Sequence, residues 1–97
     1  MEIDFTQDNG TLTVTLIGRL DTVTAPDLER FLAGKYDQVT SVVIDCEKLI
    51  YISSAGLRVL LSAQKKMKGA MKLTGVCEPV MEVFEMTGFA TVLSIEP

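Results

Sequence analysis

Two adjacent serines, Ser53 and Ser54, carry the hydroxyl groups whose position in the chain could do chemistry. They precede Ala55, Gly56 and Leu57, which begin a strongly periodic stretch, so the pattern predicts that the serines stand where a helix begins. The first N–H groups of a helix lack partners within it, and the helix dipole favours negative charge there. Such a position can hold a phosphate. It also suits a serine that only caps the helix, a contact typically worth about 1 kcal/mol, and spacing alone favours capping.

Two further residues are candidates for the same site. Asp21 follows the second predicted strand, where it can cap the first helix or display a carboxylate at the same end of the sheet as Ser54, and capping is favoured. Gly56 falls in the first turn of the second helix, where glycine costs roughly 1 kcal/mol relative to alanine. Either close approach of another backbone or tight packing of this helix on the sheet would explain the glycine.

The residue types that the chain lacks exclude the commonest catalytic sites. Histidine is absent, so there is no Ser-His or Cys-His pair and no side chain that titrates near neutral pH without being perturbed. The Gly-x-Ser-x-Gly and Gly-x-x-x-x-Gly-Lys-Ser/Thr motifs are missing as well. Cys46 and Cys77 are far apart in the sequence, which indicates small buried hydrophobic residues rather than a metal site or a disulfide framework. We therefore expect no enzymatic activity, no metal and no cofactor.

Composition and charge limit the class of partner. The 97 residues, of which 47% are apolar, suffice for one compact core, so we expect one domain over residues 1–97. The formal net charge of -4 has the wrong sign for binding the phosphates of nucleic acid or anionic lipid. No run approaches the roughly 18 to 20 consecutive apolar residues of a membrane helix, and the first residues lack the features of a signal peptide. We therefore expect a cytoplasmic protein that binds other proteins.

The chain opens with a predicted β-hairpin. An Asn-Gly pair joins strands expected at residues 3–7 and 11–17, and Asn-Gly is a strong hairpin signal. Leu12, Val14 and Leu16 alternate with threonines, which predicts one buried face in the second strand. Gly18 is expected to end that strand.

Helices and strands then alternate. The apolar run at residues 41–45 is typical of a strand in the middle of a sheet, covered on more than one side. Helices are predicted at residues 25–33, from the serine pair at residues 53 and 54 to about residue 67, and at residues 78–87. Further strands are predicted at residues 71–75 and 92–95. This order favours an α/β fold: a mixed sheet, with the N-terminal hairpin antiparallel and the remainder largely parallel, packed with about three helices.

Three separated motifs, together with the order of the elements, resemble the STAS domain family, whose best-known bacterial members are anti-sigma factor antagonists. The motifs are Gly18-Arg19-Leu20-Asp21, Ile52-Ser53-Ser54-Ala55-Gly56-Leu57 and Phe84-Glu85-Met86-Thr87-Gly88-Phe89. In the family the second motif commonly reads Asp-Ser-Ser/Ala/Thr-Gly-Leu, and a partner kinase phosphorylates the serine that follows the aspartate. The resemblance covers nearly the whole chain and puts this acceptor at Ser54, with Ser53 where the family usually has aspartate.

The resemblance implies a protein-binding switch. Unphosphorylated Ser54 would let the second helix and its loop dock on an anti-sigma factor that is also a serine/threonine protein kinase, and a phosphatase is a further candidate partner. The kinase would bring ATP and magnesium, with this chain as its substrate. A phosphate would add about -1.5 to -2 charges to an interface fitted to a neutral hydroxyl and so expel the kinase. The residues implied in partner binding are Asp21, Thr22, Ser53, Ser54, Ala55, Gly56, Leu57 and Arg58.

Two other functions stay open at this level. A constitutive STAS subunit of a transport or signalling assembly would use Ser54 only as a helix cap, and Ser53 in place of aspartate favours that role. A nucleotide-binding or hydrolysing domain would use the helix N-terminus as its phosphate site. No glycine loop or metal-binding carboxylate accompanies that terminus, which argues against the nucleotide-binding function.

Overall fold

The chain begins with the antiparallel hairpin that its sequence predicts. A computed structural model describes residues 1–96 and forms strands β1 (Glu2–Asp8) and β2 (Thr11–Leu20), with Asp8 opposite Thr11. Asn9 and Gly10 make the turn with φ angles of 51° and 82°. Asn and Gly are the residues that tolerate this left-handed conformation, which matches the twist of the strands. The predicted hairpin is confirmed.

The remaining helices and strands alternate along the chain. They are α1 (Ala25–Ala33), β3 (Ser41–Ile52), α2 (Ser54–Lys66), β4 (Met71–Thr74), α3 (Glu78–Thr87) and β5 (Ile95–Glu96), with 3-10 turns at Tyr36–Gln38 and Phe89–Thr91. The strand order is β1-β2-β3-β4-β5, and every neighbouring pair after the hairpin is parallel. The predicted α/β fold, with a mixed sheet and three α-helices, is confirmed, and β3 lies at the centre of the sheet. No helix within residues 1–96 is long and apolar enough to span a membrane.

The core lies between one face of the sheet and one side of each helix. It includes the strand residues Leu12, Val14, Leu16, Val42, Ile44 and Cys46 and the helix residues Leu28, Leu32, Leu57, Leu60, Val80 and Phe84. The intervening residues of β2 and β3 are partly exposed. The prediction that β3 is covered on more than one side is therefore wrong. Val43 belongs to the apolar run but lies on the other face of the sheet. Its neighbours there are Thr13 and Lys72 of the adjacent strands, which shield it only in part.

Three strand boundaries differ from those predicted by more than one residue. Gly18, expected to end β2, lies at a register shift with φ of +106°, and the strand continues to Leu20. Strand β3 continues to Ile52, well past residue 45, across two register shifts against β2, one between Thr15 and Ile17 and one between Gly18 and Arg19. The last strand is Ile95–Glu96 instead of residues 92–95, because a 3-10 turn occupies the preceding segment. Bulges add a residue to one strand and disturb the alternation of buried and exposed side chains, which hides such a strand in the sequence.

The two cysteines occupy different environments. Cys46 is buried in β3 as predicted, but Cys77 is only partly buried, which corrects the second half of that prediction. Cys77 is the N-cap residue of α3, so its side chain lies at the margin of the core, where its Sγ donates to the Leu49 carbonyl at 3.4 Å. Both thiols are free.

Candidate functional site

The central strand β3 leads directly into α2 through Ser53. The backbone of Ser53 is extended, with φ of -104° and ψ of 174°, as an N-cap residue requires. Its N–H donates to the Leu20 carbonyl at 2.9 Å, and its own carbonyl accepts from the Leu57 N–H at 3.0 Å. These two bonds tie the end of β2 to the first turn of α2. Ser54 is the first residue of the helix and is exposed.

The hydroxyl of Ser53 does not cap the helix. Its Oγ is buried and has no hydrogen-bond partner within residues 1–96, although the backbone occupies the N-cap position. The prediction that a serine side chain caps α2 is therefore wrong, because the Ser53 hydroxyl is buried and bonds none of the first N–H groups of the helix. Those N–H groups consequently receive no side-chain acceptor within residues 1–96.

Gly56 and Leu57 hold this loop against the sheet. A Cβ at Gly56 would lie 2.7 Å from Cγ of Leu20 and 2.9 Å from Cγ1 of Ile52, closer than carbon atoms approach in folded proteins. Tight packing of the helix on the sheet, one of the two explanations for this glycine, is confirmed. Leu57 is also buried, at 2% exposure. Both residues were predicted to bind the partner, and the structure gives them a supporting position beneath the loop.

Asp21 organises the turn that precedes α1. Its Oδ1 accepts hydrogen bonds from the N–H groups of Val23 at 3.0 Å and Thr24 at 3.1 Å. These bonds hold the pKa of the Asp21 carboxyl below its ordinary value of 3.8, and the bond from the Thr24 N–H contributes most. The helix itself begins at Ala25, with Thr24 as N-cap residue. The prediction that Asp21 caps α1 is therefore wrong, since its carboxylate is occupied by the turn before the helix.

The first motif of the sequence thus lies next to the serine loop. Arg19 stacks on the ring of Tyr51, with the guanidinium carbon 4.1 Å from the ring centroid, and its Nε is 3.8 Å from Oδ2 of Asp21. Arg19 and Tyr51 are opposite each other on β2 and β3. The backbone bond from Ser53 to Leu20 brings this group to the end of the sheet where α2 starts.

A depression between α1 and α2 adjoins the loop. It has a volume of about 280 Å³ and is lined by Thr22, Ala25, Pro26, Glu29, Ala55, Arg58 and Val59. Three of the predicted partner-binding residues, Thr22, Ala55 and Arg58, therefore meet in one surface. Pro26, Glu29 and Val59 also line this surface, and they were not among the residues predicted from the sequence. The predicted helix at residues 25–33 already put Pro26 and Glu29 one turn apart, but nothing in the sequence indicated which side of α2 they face.

Exposed apolar side chains at this end of the molecule also escaped the sequence analysis. Val23 is 81% exposed in the Asp21 turn, and Ile50 and Tyr51 are 63% and 40% exposed near the end of β3. Ile50 lies where the register between β2 and β3 shifts, which turns it out of the core. Only this register shift, which the sequence does not show, accounts for the exposure of Ile50.

Comparisons with known proteins cover nearly the whole chain. A family model described as STAS domain matches residues 2–97. A Bordetella bronchiseptica protein named "Putative anti-sigma factor antagonist BtrV" is 35% identical over 99 residues, which span 98% of this chain and 85% of BtrV.

Solved structures share the fold. An anti-sigma factor antagonist from Mycobacterium paratuberculosis superposes with a TM-score of 0.88 at 23% identity, over 99% of this chain and 85% of that one. The Bacillus cell fate determinant SpoIIAA in its phosphorylated form superposes with a TM-score of 0.74 at 17% identity, over 99% of this chain and 92% of that one. These solved structures therefore share the architecture described above.

Proposed function

The chain belongs to the STAS domain family, and on that premise we propose that it is an anti-sigma factor antagonist controlled by phosphorylation at Ser54. It binds an anti-sigma factor that is also a serine/threonine protein kinase, and it is released when the kinase modifies it. The observation that carries this proposal is the exposed hydroxyl of Ser54 at the first position of α2. The name of BtrV and the phosphorylated form of SpoIIAA support it.

The position of Ser54 suits both states of such a switch. The unmodified side chain is neutral and small, so a partner can approach the loop and the depression beside it without desolvating a charge. A phosphate at the first residue of a helix is favoured by the dipole and by N–H groups that lack intrahelical acceptors. The phosphorylated chain is therefore stable by itself, while about -1.5 to -2 added charges make its surface unfavourable for the former partner.

Ser53 does not assist this transfer. Its hydroxyl is buried away from the surface, so it offers no oxygen beside the acceptor where the family usually has a carboxylate. The proton of the Ser54 hydroxyl then passes to a base of the kinase, as it does in kinases that carry a catalytic aspartate. We expect slow phosphorylation compared with a chain in which aspartate precedes the acceptor, and Ser53→Asp to accelerate it.

The proposal is tested with the protein purified from its own host. Intact-mass and peptide mass spectrometry should find a phosphate on Ser54 in part of the population, and unmodified chain immobilised on a column should retain a kinase that ATP and magnesium release. Ser54→Ala should retain the same kinase without ATP-dependent release. Ser53→Ala serves as the matched control because it removes the neighbouring hydroxyl and leaves the acceptor.

A constitutive STAS subunit of a transport or signalling assembly is the second candidate, favoured by the inward hydroxyl of Ser53 in the position of the family's aspartate. In that case Ser54 carries no phosphate under any growth condition. Ser54→Ala and Ser54→Asp would then bind the same proteins as the unchanged chain, whereas the switch requires Ser54→Asp to lose the kinase.

A further inference from the structure

We infer that Arg58 receives a phosphate on Ser54 and in doing so removes the cation from the depression between α1 and α2. The inference rests on the proposed function, because it concerns how modification of Ser54 changes the surface beside it. It assigns a task to a side chain that sequence spacing alone would place on a solvated helix face.

The spacing of the two residues on α2 brings a phosphate and the guanidinium together. Ser54 and Arg58 are both exposed and are four residues apart in the helix Ser54–Lys66. Side chains at this spacing are neighbours, with Cβ atoms about 5–6 Å apart, and an acidic group N-terminal to a basic one is the favourable orientation. A phosphate and an arginine form short, charge-assisted, often bidentate hydrogen bonds. The helix therefore needs no rearrangement to pair them.

Arg58 is available for this pairing, and the other arginine at this end of the molecule is not. The ion pairs within residues 1–96 join Arg19 to Asp21, Arg30 to Asp27 and Lys72 to Glu96, and Arg58 takes part in none of them. Arg19 is further held by stacking on Tyr51. A phosphate on Ser54 can thus recruit Arg58 without breaking an existing interaction.

Recruitment of Arg58 would change the charge of the depression. Arg58 is the only lysine or arginine among the lining residues, and Glu29 on α1 is the only acidic one. With Ser54 unmodified, the rim carries one charge of each sign over an apolar floor that includes Ala25 and Val59. Once the guanidinium turns to a phosphate, Glu29 and the phosphate remain, so the surface becomes acidic throughout. A phosphate on Ser54 therefore alters the charge of the neighbouring depression as well as that of the serine itself.

The test uses full-length protein with phosphoserine encoded genetically at position 54, so that it does not depend on any kinase. The second ionisation of phosphoserine, ordinarily near pH 6, is followed by phosphorus NMR. We expect a lower pKa in the otherwise unchanged chain than in Arg58→Gln, by several tenths of a unit, and an intermediate value in Arg58→Lys. Lys65→Gln is the matched control, because it removes one charge from the same helix about 16 Å away and should leave the titration unchanged.

The same samples test the effect on the depression. Backbone amide signals of Glu29 and Val59 should shift when Ser54 carries phosphate, and this shift should vanish in Arg58→Gln. Identical phosphoserine titrations with and without Arg58 would overturn the pairing, and unchanged amide signals would overturn its coupling to the depression. If protein purified from the host never carries phosphate on Ser54, the proposed function is wrong. The measurements on encoded phosphoserine do not depend on that result, so the two proposals can fail separately.

Discussion

Ser53 shows how one side-chain orientation can change the meaning of a sequence motif. An N-cap hydroxyl that bonds the helix contributes about 1 kcal/mol, whereas a buried hydroxyl without a partner costs about 1–3 kcal/mol. The Ser53 hydroxyl lies in the second situation. The hydroxyl of Ser53 is therefore expected to cost stability, while its backbone bonds to Leu20 and Leu57 hold the loop.

Replacing Ser53 with alanine should consequently differ from an ordinary cap deletion. Ser53→Ala removes an unsatisfied polar group, so we expect the free energy of unfolding to stay unchanged or rise by up to about 1 kcal/mol in urea denaturation. An ordinary N-cap serine would lose about 1 kcal/mol on the same change. Ser53→Asp, whose carboxylate can reach the free N–H groups, is the companion variant and should gain stability. A clear loss in Ser53→Ala would mean that the hydroxyl has a bonding partner after all.

The position of a residue along a helix can be predicted from the sequence more readily than the contacts of its side chain. The periodicity after Ser54 was enough to put both serines at the start of a helix, where they lie. The burial of the Ser53 hydroxyl depends on parts of the chain that are distant in the sequence, such as the end of β2 to which the Ser53 N–H is bonded. Asp21 likewise looked like a cap because Pro26 marks a helix start, but the turn from Asp21 to Thr24 uses its carboxylate first.

At the scale of elements, the site depends on how closely α2 approaches the ends of β2 and β3. Gly56 permits this approach, since Leu20 and Ile52 occupy the space that its side chain would need. The helix start is thereby held against two strands, and Ser54 projects from a fixed position. A loop with a looser helix would present the acceptor in many orientations and bind a partner less well.

Gly56→Ala tests this contact. Alanine favours a helix over glycine by roughly 1 kcal/mol, but the added methyl would be forced against two core side chains, and overpacking of this kind typically costs about 1–3 kcal/mol. We therefore expect a net loss of stability in thermal or urea unfolding. Gly34→Ala is the matched control, because its φ is -78° and the added Cβ meets only ordinary contacts. Equal stability of the two variants would show that α2 can move away from the sheet without cost.

The bulged end of β3 explains why part of this element could not be predicted. Up to Cys46 buried and partly exposed residues alternate, and the apolar run at residues 41–45 was enough to predict a strand there, although not its burial on one side alone. Beyond it the two register shifts put Leu49 and Ile52 inside and Ile50 and Tyr51 outside. These four apolar residues follow neither the two-residue period of a strand nor the period of a helix, so their pattern in the sequence does not indicate a strand. The bulges nevertheless matter for the site, since they aim Tyr51 at Arg19.

At the scale of the whole molecule, the topology was predictable because each strand lies beside its neighbour in the sequence. The order β1-β2-β3-β4-β5 requires one hairpin followed by helical crossovers, which is what alternating strand and helix patterns indicate. The sequence could not show that the helices leave one sheet face partly exposed. The alternating threonines of β2 indicated a partly exposed face in that strand. In β3 the apolar Val43 lies on the same face, so the sequence did not indicate that this face is partly exposed.

The buried thiol at the centre of the sheet links the stability of the whole fold to alkaline pH. Burial, and secondarily the neighbouring Asp45 carboxylate, raises the pKa of Cys46 from 9.0 to about 12. The folded protein therefore holds this proton more tightly than the unfolded chain does. The resulting stability is fully present below about pH 9 and is lost as the pH rises from there toward 12.

The free energy of unfolding should consequently fall above pH 9 by up to about 1.4 kcal/mol per pH unit through this thiol alone. Cys46→Val, which keeps an apolar side chain of similar size in the core, should lack that part of the slope in urea unfolding between pH 8 and pH 10. Cys77→Val should keep it, because Cys46 is retained. Parallel slopes for the unchanged chain and Cys46→Val would mean that ionised Cys46 is accommodated in the fold, by water or by local opening of β3. The comparison isolates Cys46 because the two proteins differ at this residue alone.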